Sequence, residues 1–352
     1  MALEIKPPLL PMEARPVAEP PIGVEWQYEP KWDGFRCLIF RDDQDVYLQS
    51  KSGQPLARYF PDIVARITQI RAKQFVIDGE IVIPIAGRLS FDDLLMRVHP
   101  AASRVKKLAS EHPAMLIVFD LLADARGKSL LELPLKSRRA KLEKFAETQL
   151  LTDSAIQLSP ATTNIADARK WFEAKGGNLD GIVAKRLDLP YCSGNRNGMQ
   201  KIKHHHTADC VVAGFRYLKE QRVVGSLLLG LYDSEGRLNH VGFTSSFKAS
   251  ERQRITEIVE PLKGGAGFNG RSPGGPSRWN GGEAKEWEPL NPKLVVEVGY
   301  DHFTGDRFRH GTQLIRWRPD KKPKACSVSQ VKNGTGTILQ LLKTSAPKDS
   351  SG

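Results

Sequence analysis

The sequence predicts an α+β protein with antiparallel sheets, followed by a small β-barrel domain, and three observations lead to this expectation. The chain has 352 residues, and two domains are expected because single cores stop growing at roughly 250–300 residues. Strand-like and helix-like runs are mixed up to Lys203. From Asp209 onward the pattern becomes strand, turn, strand.

The first domain is expected over residues 1–206. Its first 22 residues are rich in Pro and predict an irregular arm. Apolar runs bounded by turn residues predict strands at Val24–Glu29, Phe35–Arg41, Val46–Gln49, Phe75–Ile83, Met115–Leu122, Ile182–Lys185 and Gln200–Lys203. Helical spacing predicts helices at Pro61–Ile70, Leu133–Glu147 and Ile165–Lys175. Pro134 suits a helix start, and Gly176–Gly177 suit a helix end.

The second domain is expected over residues 207–340, as an OB-fold β-barrel. Five short strands with one inserted helix are typical of that fold. The segment 264–283 is so rich in Gly, Ser and Pro that we expect a mobile loop, and residues 341–352 are expected to form a flexible tail. The predicted elements are strands at Cys210–Tyr217, Ser226–Tyr232, Leu238–Thr244, Leu294–Tyr300 and Gln313–Trp317, and a helix at Glu251–Leu262.

Composition narrows the class of partner. The formal net charge is +12, and a basic surface attracts polyanions, so nucleic acid is the first partner to consider and a membrane surface the second. No apolar run approaches the ~18 residues of a membrane span, and the N-terminus lacks the pattern of a secretion signal. The four Cys residues are far apart and form no CxxC pair, which argues against a zinc site and a disulfide framework. We expect a cytoplasmic protein.

The segment Glu29-Pro30-Lys31-Trp32-Asp33-Gly34-Phe35-Arg36 is the clearest chemical signal. It holds one Lys at a bend between two strands, with an acid and a base close by. An amine with an ordinary pKa of about 10.4 becomes a nucleophile when neighbouring cations and a metal ion lower that pKa. The alternative is a solvated turn lysine, because a short KxDG pattern also recurs by chance.

Further short motifs follow in a fixed order along the chain. The series resembles that of the covalent nucleotidyltransferase superfamily, which contains DNA ligases, RNA ligases and mRNA capping enzymes. Two positions depart from the usual pattern, because Lys51 stands where the family usually has Arg and Asp180 where most members have Glu. The motifs after the first are Ser50–Gly53, Asp78–Glu80, Phe119–Leu122, Asp180–Lys185, Lys201–Lys203 and Arg318–Lys321.

The sequences that flank the motifs narrow the resemblance. Tyr191, Gly194 and the segment 295–323 resemble bacterial ATP-dependent ligases of the ligase C type, a relative of the ligase module of ligase D. The resemblance implies that the first domain is an adenylation (nucleotidyltransferase) domain. It further implies that Lys31 takes AMP from ATP, that AMP passes to the 5′-phosphate at a nick in duplex DNA, and that the 3′-OH then releases AMP.

The resemblance also assigns roles to single residues. Lys201 and Lys203 alternate along a strand and therefore share one face; they are expected to hold the α-phosphate and to lower the pKa of Lys31. Glu80 and Asp180 are expected to bind Mg²⁺ or Mn²⁺, although Asp180 has the shorter reach. The alternatives are an exposed strand face for the two lysines and salt bridges for the two acids.

The other implied roles concern the nucleotide. Phe119 is expected to stack on adenine, and its alternative is a core aromatic. Asp33 is expected to organise the turn around Lys31. The remaining nucleotide-binding residues implied by the motifs are Glu29, Arg36, Lys51 and Lys185.

Arg318, Asp320 and Lys321 belong to the second domain. The resemblance implies that they close over the nucleotide and orient the leaving pyrophosphate, with Asp209 as a hinge candidate. The alternative is a basic tail that contacts DNA. His204–His206 are not expected to bind one metal ion, because successive residues of a strand face opposite sides.

Two rival functions stay open at this point. One is an RNA-directed nucleotidyltransferase, either an RNA ligase or a capping-type enzyme that uses GTP. The other is a non-catalytic scaffold that binds DNA ends. We expect a monomer with a role in DNA repair, associated with the nucleoid, and we consider Ku and a repair polymerase as protein partners.

Overall fold

The apolar run Met115–Ala123 forms a strand that is buried along nearly its whole length, as its composition predicts. In this computed structural model the strand belongs to the first of two units, which consist of residues 1–203 with 333–352, and of residues 204–332. The structure describes residues 3–150, 155–173, 179–203, 206–274, 286–331 and 339–343. The predicted boundaries after residues 206 and 340 stay a prediction.

Unit 1 is built on two large sheets and a two-stranded one, and seven of its eleven described strands agree closely with those predicted. The strands are β1 (Arg15–Pro16), β2 (Trp26–Lys31), β3 (Phe35–Asp42), β4 (Asp45–Ser50), β5 (Gln74–Val82), β6 (Pro84–Ile85), β7 (Arg88–Leu89), β8 (Met115–Ala123), β9 (Ile156–Leu158), β10 (Gly181–Arg186) and β11 (Met199–Lys203). One sheet has the order β1-β11-β10-β2, and the other has the order β4-β3-β5-β8-β9. Most neighbours are antiparallel; the pairs β1–β11 and β8–β9 are parallel.

Most helices of unit 1 pack beside the second sheet, whereas the helix Ile165–Glu173 packs on β2 and β10 of the first sheet. They are α1 (Pro61–Gln69), α2 (Phe91–Arg97), α3 (Ala102–Glu111), α4 (Leu135–Gln149) and α5 (Ile165–Glu173). Ile63 and Ile67, four residues apart on α1, are both buried, as expected of the apolar face of a helix. The sequence analysis missed α2 and α3. Ser90 accepts a hydrogen bond from the Asp93 amide at 3.3 Å, a capping signal that could have located the start of α2.

The N-terminal arm is irregular, as expected, but it is also packed. Leu3, Ile5 and Met12 are buried in a core shared with β3 and β8. Arg15–Pro16 form the edge strand β1 beside β11. The sequence did not predict this strand, because Pro is rare in strands and occurs mainly at sheet edges.

Unit 2 contains one five-stranded sheet of order β14-β13-β12-β15-β18. Its elements are β12 (His206–Leu218), β13 (Gln221–Tyr232), β14 (Leu238–Thr244), α6 (Arg252–Val259), β15 (Glu288–Tyr300), β16 (Phe303–Thr304), β17 (Arg307–Phe308) and β18 (Gln313–Trp317). Within the described residues no continuous ladder closes the sheet, but a single bridge from Thr244 to Thr312 joins its two edges. A partly open five-stranded barrel is the form expected of an OB-fold.

Two segments differ from the sequence-based expectation. In the predicted mobile loop, Phe268 is buried against the core of unit 2, with its ring 5.6 Å from that of Trp287; residues 275–283 of that loop lie outside the described residues. In the predicted tail, helix α7 (Gln340–Lys343) brings Leu342 into a core cluster with Trp32, and the later residues are not described. No helix within the described ranges is long and apolar enough to cross a membrane.

Candidate active site

A cleft of about 790 Å³ in unit 1 is lined by residues of both sheets. The residues expected from the sequence to bind the nucleotide, apart from Lys203, all line it although they are spread along the chain from Glu29 to Lys201. These residues are Glu29, Lys31, Arg36, Lys51, Glu80, Phe119, Lys185 and Lys201. Their assembly follows from the sheets, because β2, β10 and β11 belong to one sheet and β3, β5 and β8 to the other.

Lys31, Asp180 and Lys203 meet at one end of the first sheet. Strand β10 lies between β2 and β11, and its first residue, Gly181, is the register partner of both Lys31 and Lys203. Asp180 pairs with Lys31 through Oδ2, and the same oxygen is 3.4 Å from Lys203 Nζ. Gly181 has φ +142°, and a Cβ there would lie 1.9 Å from the Ile202 carbonyl oxygen, so the approach of the strands requires glycine.

The protonation of Lys31 differs from the sequence-based expectation. Burial lowers the pKa of Lys31, but the charges of Asp180 and Glu80 outweigh burial and hold the pKa above its ordinary value. The expected net lowering of this pKa is therefore not found in this state. Burial, followed by the charges of Lys31 and Lys203, lowers the pKa of Lys201 instead.

The neighbours of Lys31 fix its position. Trp32 is buried and donates from Nε1 to Ser159 Oγ at 2.9 Å, which anchors the residue after the lysine. Asp33 lies in the turn between β2 and β3, and its charge adds to the raised pKa of Lys31. Gly34 follows, and a Cβ there would lie 2.3 Å from the Ile81 carbonyl oxygen, so the turn packs closely on β5.

Glu80 and Asp180 fit a divalent cation in their donor chemistry. Burial raises the pKa of the Glu80 carboxyl to about 7, against the charges of Lys31 and Arg36. A dication would stabilise the ionised form of such a group. No cluster of three or more His, Cys, Asp or Glu occurs in the described part of the chain, but Mg²⁺ is usually held by one or two carboxylates together with substrate phosphates.

Phe119 forms one wall of the cleft and lies beneath two cations. The Arg36 guanidinium carbon and Lys185 Nζ are each 4.6 Å from the centre of its ring. Lys185 also donates to Glu29 Oε2 at 2.8 Å, and Glu29 Oε1 accepts from Gln27 at 2.8 Å. The Glu29 carboxylate, expected to bind the nucleotide, is thus already paired with two side chains.

The N-terminal arm forms part of the cleft, a role that was not predicted from the sequence. Residues 11–14 line it, and Glu13 lies 3.1 Å from the ammonium group of Lys51. The hydrogen bond that Glu13 accepts from Lys51 lowers the pKa of the Glu13 carboxyl. The Pro-rich composition of the arm gave no signal of such a role. Val183 and Met199 also line the cleft. Each is two residues from a lysine of its strand, Lys185 or Lys201, and this spacing places them on the same face, a signal that could have identified them.

Arg318, Asp320 and Lys321 lie in unit 2, after β18, within a cluster of opposite charges. Arg318 donates to Asp209 at 2.8 Å and to Asp320 at 2.8 Å, and Lys321 Nζ is 3.4 Å from Asp209. The hydrogen bond from Arg318 lowers the pKa of Asp320 to about 2. Asp209 lies inside strand β12, which does not suit a hinge residue. Of the three histidines, only His206 is described; its ring is 5.4 Å from that of Tyr300.

Comparison with known proteins finds a matching protein family for each of the two units. A family model of the ATP dependent DNA ligase domain matches residues 15–203, and a model of the ATP dependent DNA ligase C terminal region matches residues 220–321. DNA ligase C1 of Mycolicibacterium smegmatis is 43% identical over 343 residues, which cover 94% of this chain and 96% of the relative.

Two further similarities concern a larger protein and a solved structure. The multifunctional non-homologous end joining protein LigD of Mycobacterium bovis is 29% identical over 307 residues, which cover 85% of this chain and 37% of that protein. The solved structure Pmar-Lig_PreS3 matches with a TM-score of 0.58 at 18% identity, covering 88% of this chain and 68% of that one. At this identity the structural match establishes the fold alone.

Replacing Asp180 with Asn should lower the pKa of Lys31, because the opposite charge that favours the ammonium form is removed. A raised pKa keeps the amine protonated, and thus unreactive, up to a higher pH. The midpoint of Lys31 labelling by an amine-specific reagent should therefore move to lower pH in Asp180→Asn, measured by peptide mass without nucleotide or metal. Asp167→Asn, which removes an exposed partner of Lys170, is the control. An unchanged midpoint in Asp180→Asn would contradict the pairing.

Proposed function

This chain belongs to the ATP-dependent DNA ligase family, and from that premise we propose that it seals nicks in duplex DNA through AMP carried on Lys31. The family membership makes it a DNA ligase that uses ATP. The observation that carries the proposed mechanism is the position of Lys31, which lines the cleft beside two carboxylates and two further lysines.

In the first step the Lys31 amine attacks the α-phosphorus of ATP. A nitrogen–phosphorus bond forms, the bond from the α-phosphorus to pyrophosphate breaks, and the amine loses a proton. Asp180 Oδ2 pairs with Lys31 Nζ, which supports it as the first acceptor of that proton. The displacement has little covalent chemistry for the protein to perform, so positioning and cations supply most of the rate.

In the second step the 5′-phosphate at the nick takes AMP from Lys31. The nitrogen–phosphorus bond breaks, and Lys31 regains a proton. In the third step the 3′-OH attacks the adenylated 5′-phosphate, which forms the phosphodiester bond and releases AMP. Lys201 lines the cleft, and Lys203 shares Asp180 with Lys31. These contacts support a role for both lysines in holding the transferred phosphate.

Divalent cations such as Mg²⁺ or Mn²⁺ would neutralise charge on the phosphate oxygens during each transfer. Glu80 and Asp180 are the residues that would hold them. Glu80 is the stronger candidate, because the side chain of Asp180 is one methylene shorter than the usual Glu and its carboxylate already serves two lysines.

Phe119, Arg36 and Lys185 form the proposed base-binding wall. The π face of an aromatic ring suits both cations and a stacked adenine, so the base would share the Phe119 ring with Arg36 and Lys185. Lys51, at the mouth of the cleft, is 61% exposed and would exchange its pairing with Glu13 for a substrate phosphate.

The biological setting is part of the proposal. The name of the LigD relative places that protein in non-homologous end joining, and we propose a DNA repair role for this chain on that similarity. The substrate would be nicked duplex DNA, and DNA-end-binding proteins such as Ku or a repair polymerase are candidate partners. The rival functions are an RNA-directed nucleotidyltransferase and a non-catalytic scaffold, and both can be distinguished by assay.

With ATP and Mg²⁺ the protein should seal a nicked duplex that carries a 5′-phosphate, and it should not do so with GTP. Lys203→Ala should seal about 100-fold more slowly, the typical effect of removing one group that stabilises a transition state. Lys170→Ala, which removes an exposed lysine from a surface pair, should match the wild type. Sealing of RNA strands alone, use of GTP, or nick binding without sealing would each favour a rival function.

The double variant Arg318→Ala with Lys321→Ala should load AMP from ATP poorly, but it should still perform the sealing step. Pyrophosphate leaves on the side opposite Lys31, so cations are needed there in the first step alone. Arg318 and Lys321 would exchange their carboxylate partners, Asp209 and Asp320, for pyrophosphate. The variant should therefore adenylate poorly with ATP but seal a nick that already carries a 5′-adenylate.

Arg237→Ala provides the matched control, because Arg237 is an exposed arginine of unit 2 that pairs with Asp233 at 2.9 Å. This variant should behave as the wild type in both assays at equal enzyme concentration. Equal losses of the double variant in the two assays would show that the motif serves DNA binding or folding.

A further inference from the structure

The N-terminal arm lies outside the residues that the family model matches, which begin at residue 15, yet residues 11–14 line the cleft. We propose that these residues are a structural part of the ATP site, and that Tyr191 and Asp78 are positioning residues that hold them against Arg36. This inference rests on the proposed function, because it takes the cleft to be the ATP site. It adds to that function a segment and two residues with a defined task.

A buried hydrogen-bond network connects the arm to Arg36. The Tyr191 hydroxyl donates to Asp78 Oδ2 at 2.7 Å and accepts from the Met12 amide at 3.0 Å. Asp78 is fully buried and receives two hydrogen bonds of 2.5 Å from Arg36. Arg36 also donates to the Met12 carbonyl oxygen at 3.4 Å. Met12 thus contacts both ends of the network through its backbone.

The electrostatics of the network fit a fixed arrangement. Burial, followed by the charge of Asp78, raises the pKa of Tyr191 well above its ordinary value, so the hydroxyl stays protonated and donates. Burial lowers the pKa of Arg36, and the Asp78 carboxylate more than compensates and raises it. A buried carboxylate needs such partners, and hydrogen bonds to a charged group are stronger than neutral ones.

The network ends at the proposed base-binding wall. The guanidinium carbon of Arg36 is 4.6 Å from the centre of the Phe119 ring, so a change in the orientation of Arg36 alters the surface that the nucleotide meets. The two bonds to Asp78 set that orientation in the plane of the carboxylate. Tyr191 donates to the same carboxylate, and the Met12 carbonyl oxygen accepts from the same guanidinium group.

The arm is held along its length by backbone contacts, as a wall of a binding site must be. Leu9 exchanges two hydrogen bonds with the fully buried Gln49 side chain, at 3.0 and 2.6 Å. The Glu13 amide donates to the Asn195 carbonyl oxygen at 2.8 Å. Ser193 Oγ donates to the Leu10 carbonyl oxygen at 2.7 Å. The segment 191–195 therefore holds the arm on one side and β4 holds it on the other.

The test separates ATP binding from chemistry in single-turnover formation of the AMP adduct. Tyr191→Phe keeps the ring but removes the hydroxyl, leaving the Met12 amide without its acceptor. It should raise the half-saturating ATP concentration by on the order of tenfold, the effect of losing one hydrogen bond to a charged group. The rate at saturating ATP should stay within about twofold, because the hydroxyl does not contact Lys31.

Tyr47→Phe is the matched control, since the Tyr47 ring packs on the same core, and it should match the wild type. Met12→Ala keeps the backbone contacts and removes a side chain that lines the cleft; it should also raise half-saturation. The inference is overturned if Tyr191→Phe and Met12→Ala both have the half-saturating ATP concentration of the wild type. A decrease in the rate at saturating ATP, with an unchanged half-saturating ATP concentration, also overturns the inference.

Hydrogen exchange tests the arm directly. In Lys31→Ala with ATP, the amides of Leu9, Leu10, Met12 and Glu13 should exchange more slowly than without ATP, and the protection should be lost when Tyr191→Phe is added. Equilibrium dialysis measures ATP binding by the same protein. Normal binding without protection of the arm refutes the inference and leaves the proposed function standing. Absence of ATP binding would count against both.

Discussion

Lys31 and Asp180 meet because β2 and β10 are neighbours in one sheet, and the rest of the site depends on that pairing. The antiparallel register brings Gly181 between Lys31 and Lys203, so the preceding carboxylate reaches both ammonium groups. The absence of a Cβ at Gly181 allows the third strand to approach. The pairing holds the amine at a defined place, and it also keeps the amine protonated. The group that positions the nucleophile therefore also restrains its reactivity until substrate and cation change its surroundings.

The second sheet supplies the other half of the cleft through buried, paired charges. Arg36 pairs with Asp78, and Asp120, next to Phe119, receives two hydrogen bonds from the buried Arg138 at 2.9 and 3.0 Å. Breaking a buried pair of this kind typically costs about 3–5 kcal/mol. These paired contacts hold the side chains in place beneath a cleft that has to accept a polyanion. The stability of the sheet and the geometry of the proposed base-binding wall depend on the same contacts.

Much of the fold and of the cleft was predictable, for reasons that lie in local sequence. The alternation and apolar content of β3, β5 and β8 identify strands, and the ordered motifs indicate residues that adjacent strands bring together. The pairing of charges was not predictable. Nothing near Glu29 in the sequence shows that Lys185 will neutralise it, because the two residues are 156 positions apart. The expected lowering of the pKa of Lys31 was wrong for this state for the same reason, since the contribution of Asp180 depends on strand register. The packed arm and Phe268 were missed because Pro-rich and Gly-rich segments give no periodic signal.

The central claim is that AMP is carried on Lys31, held between these carboxylates and lysines. The most direct measurement is the intact mass of the protein after incubation with ATP and Mg²⁺, followed by mapping of the modified peptide. The account predicts a gain of one AMP on Lys31 in the wild type and no gain in Lys31→Ala. An adduct on Lys201, Lys203 or any other residue, or a gain of AMP in Lys31→Ala, would contradict it.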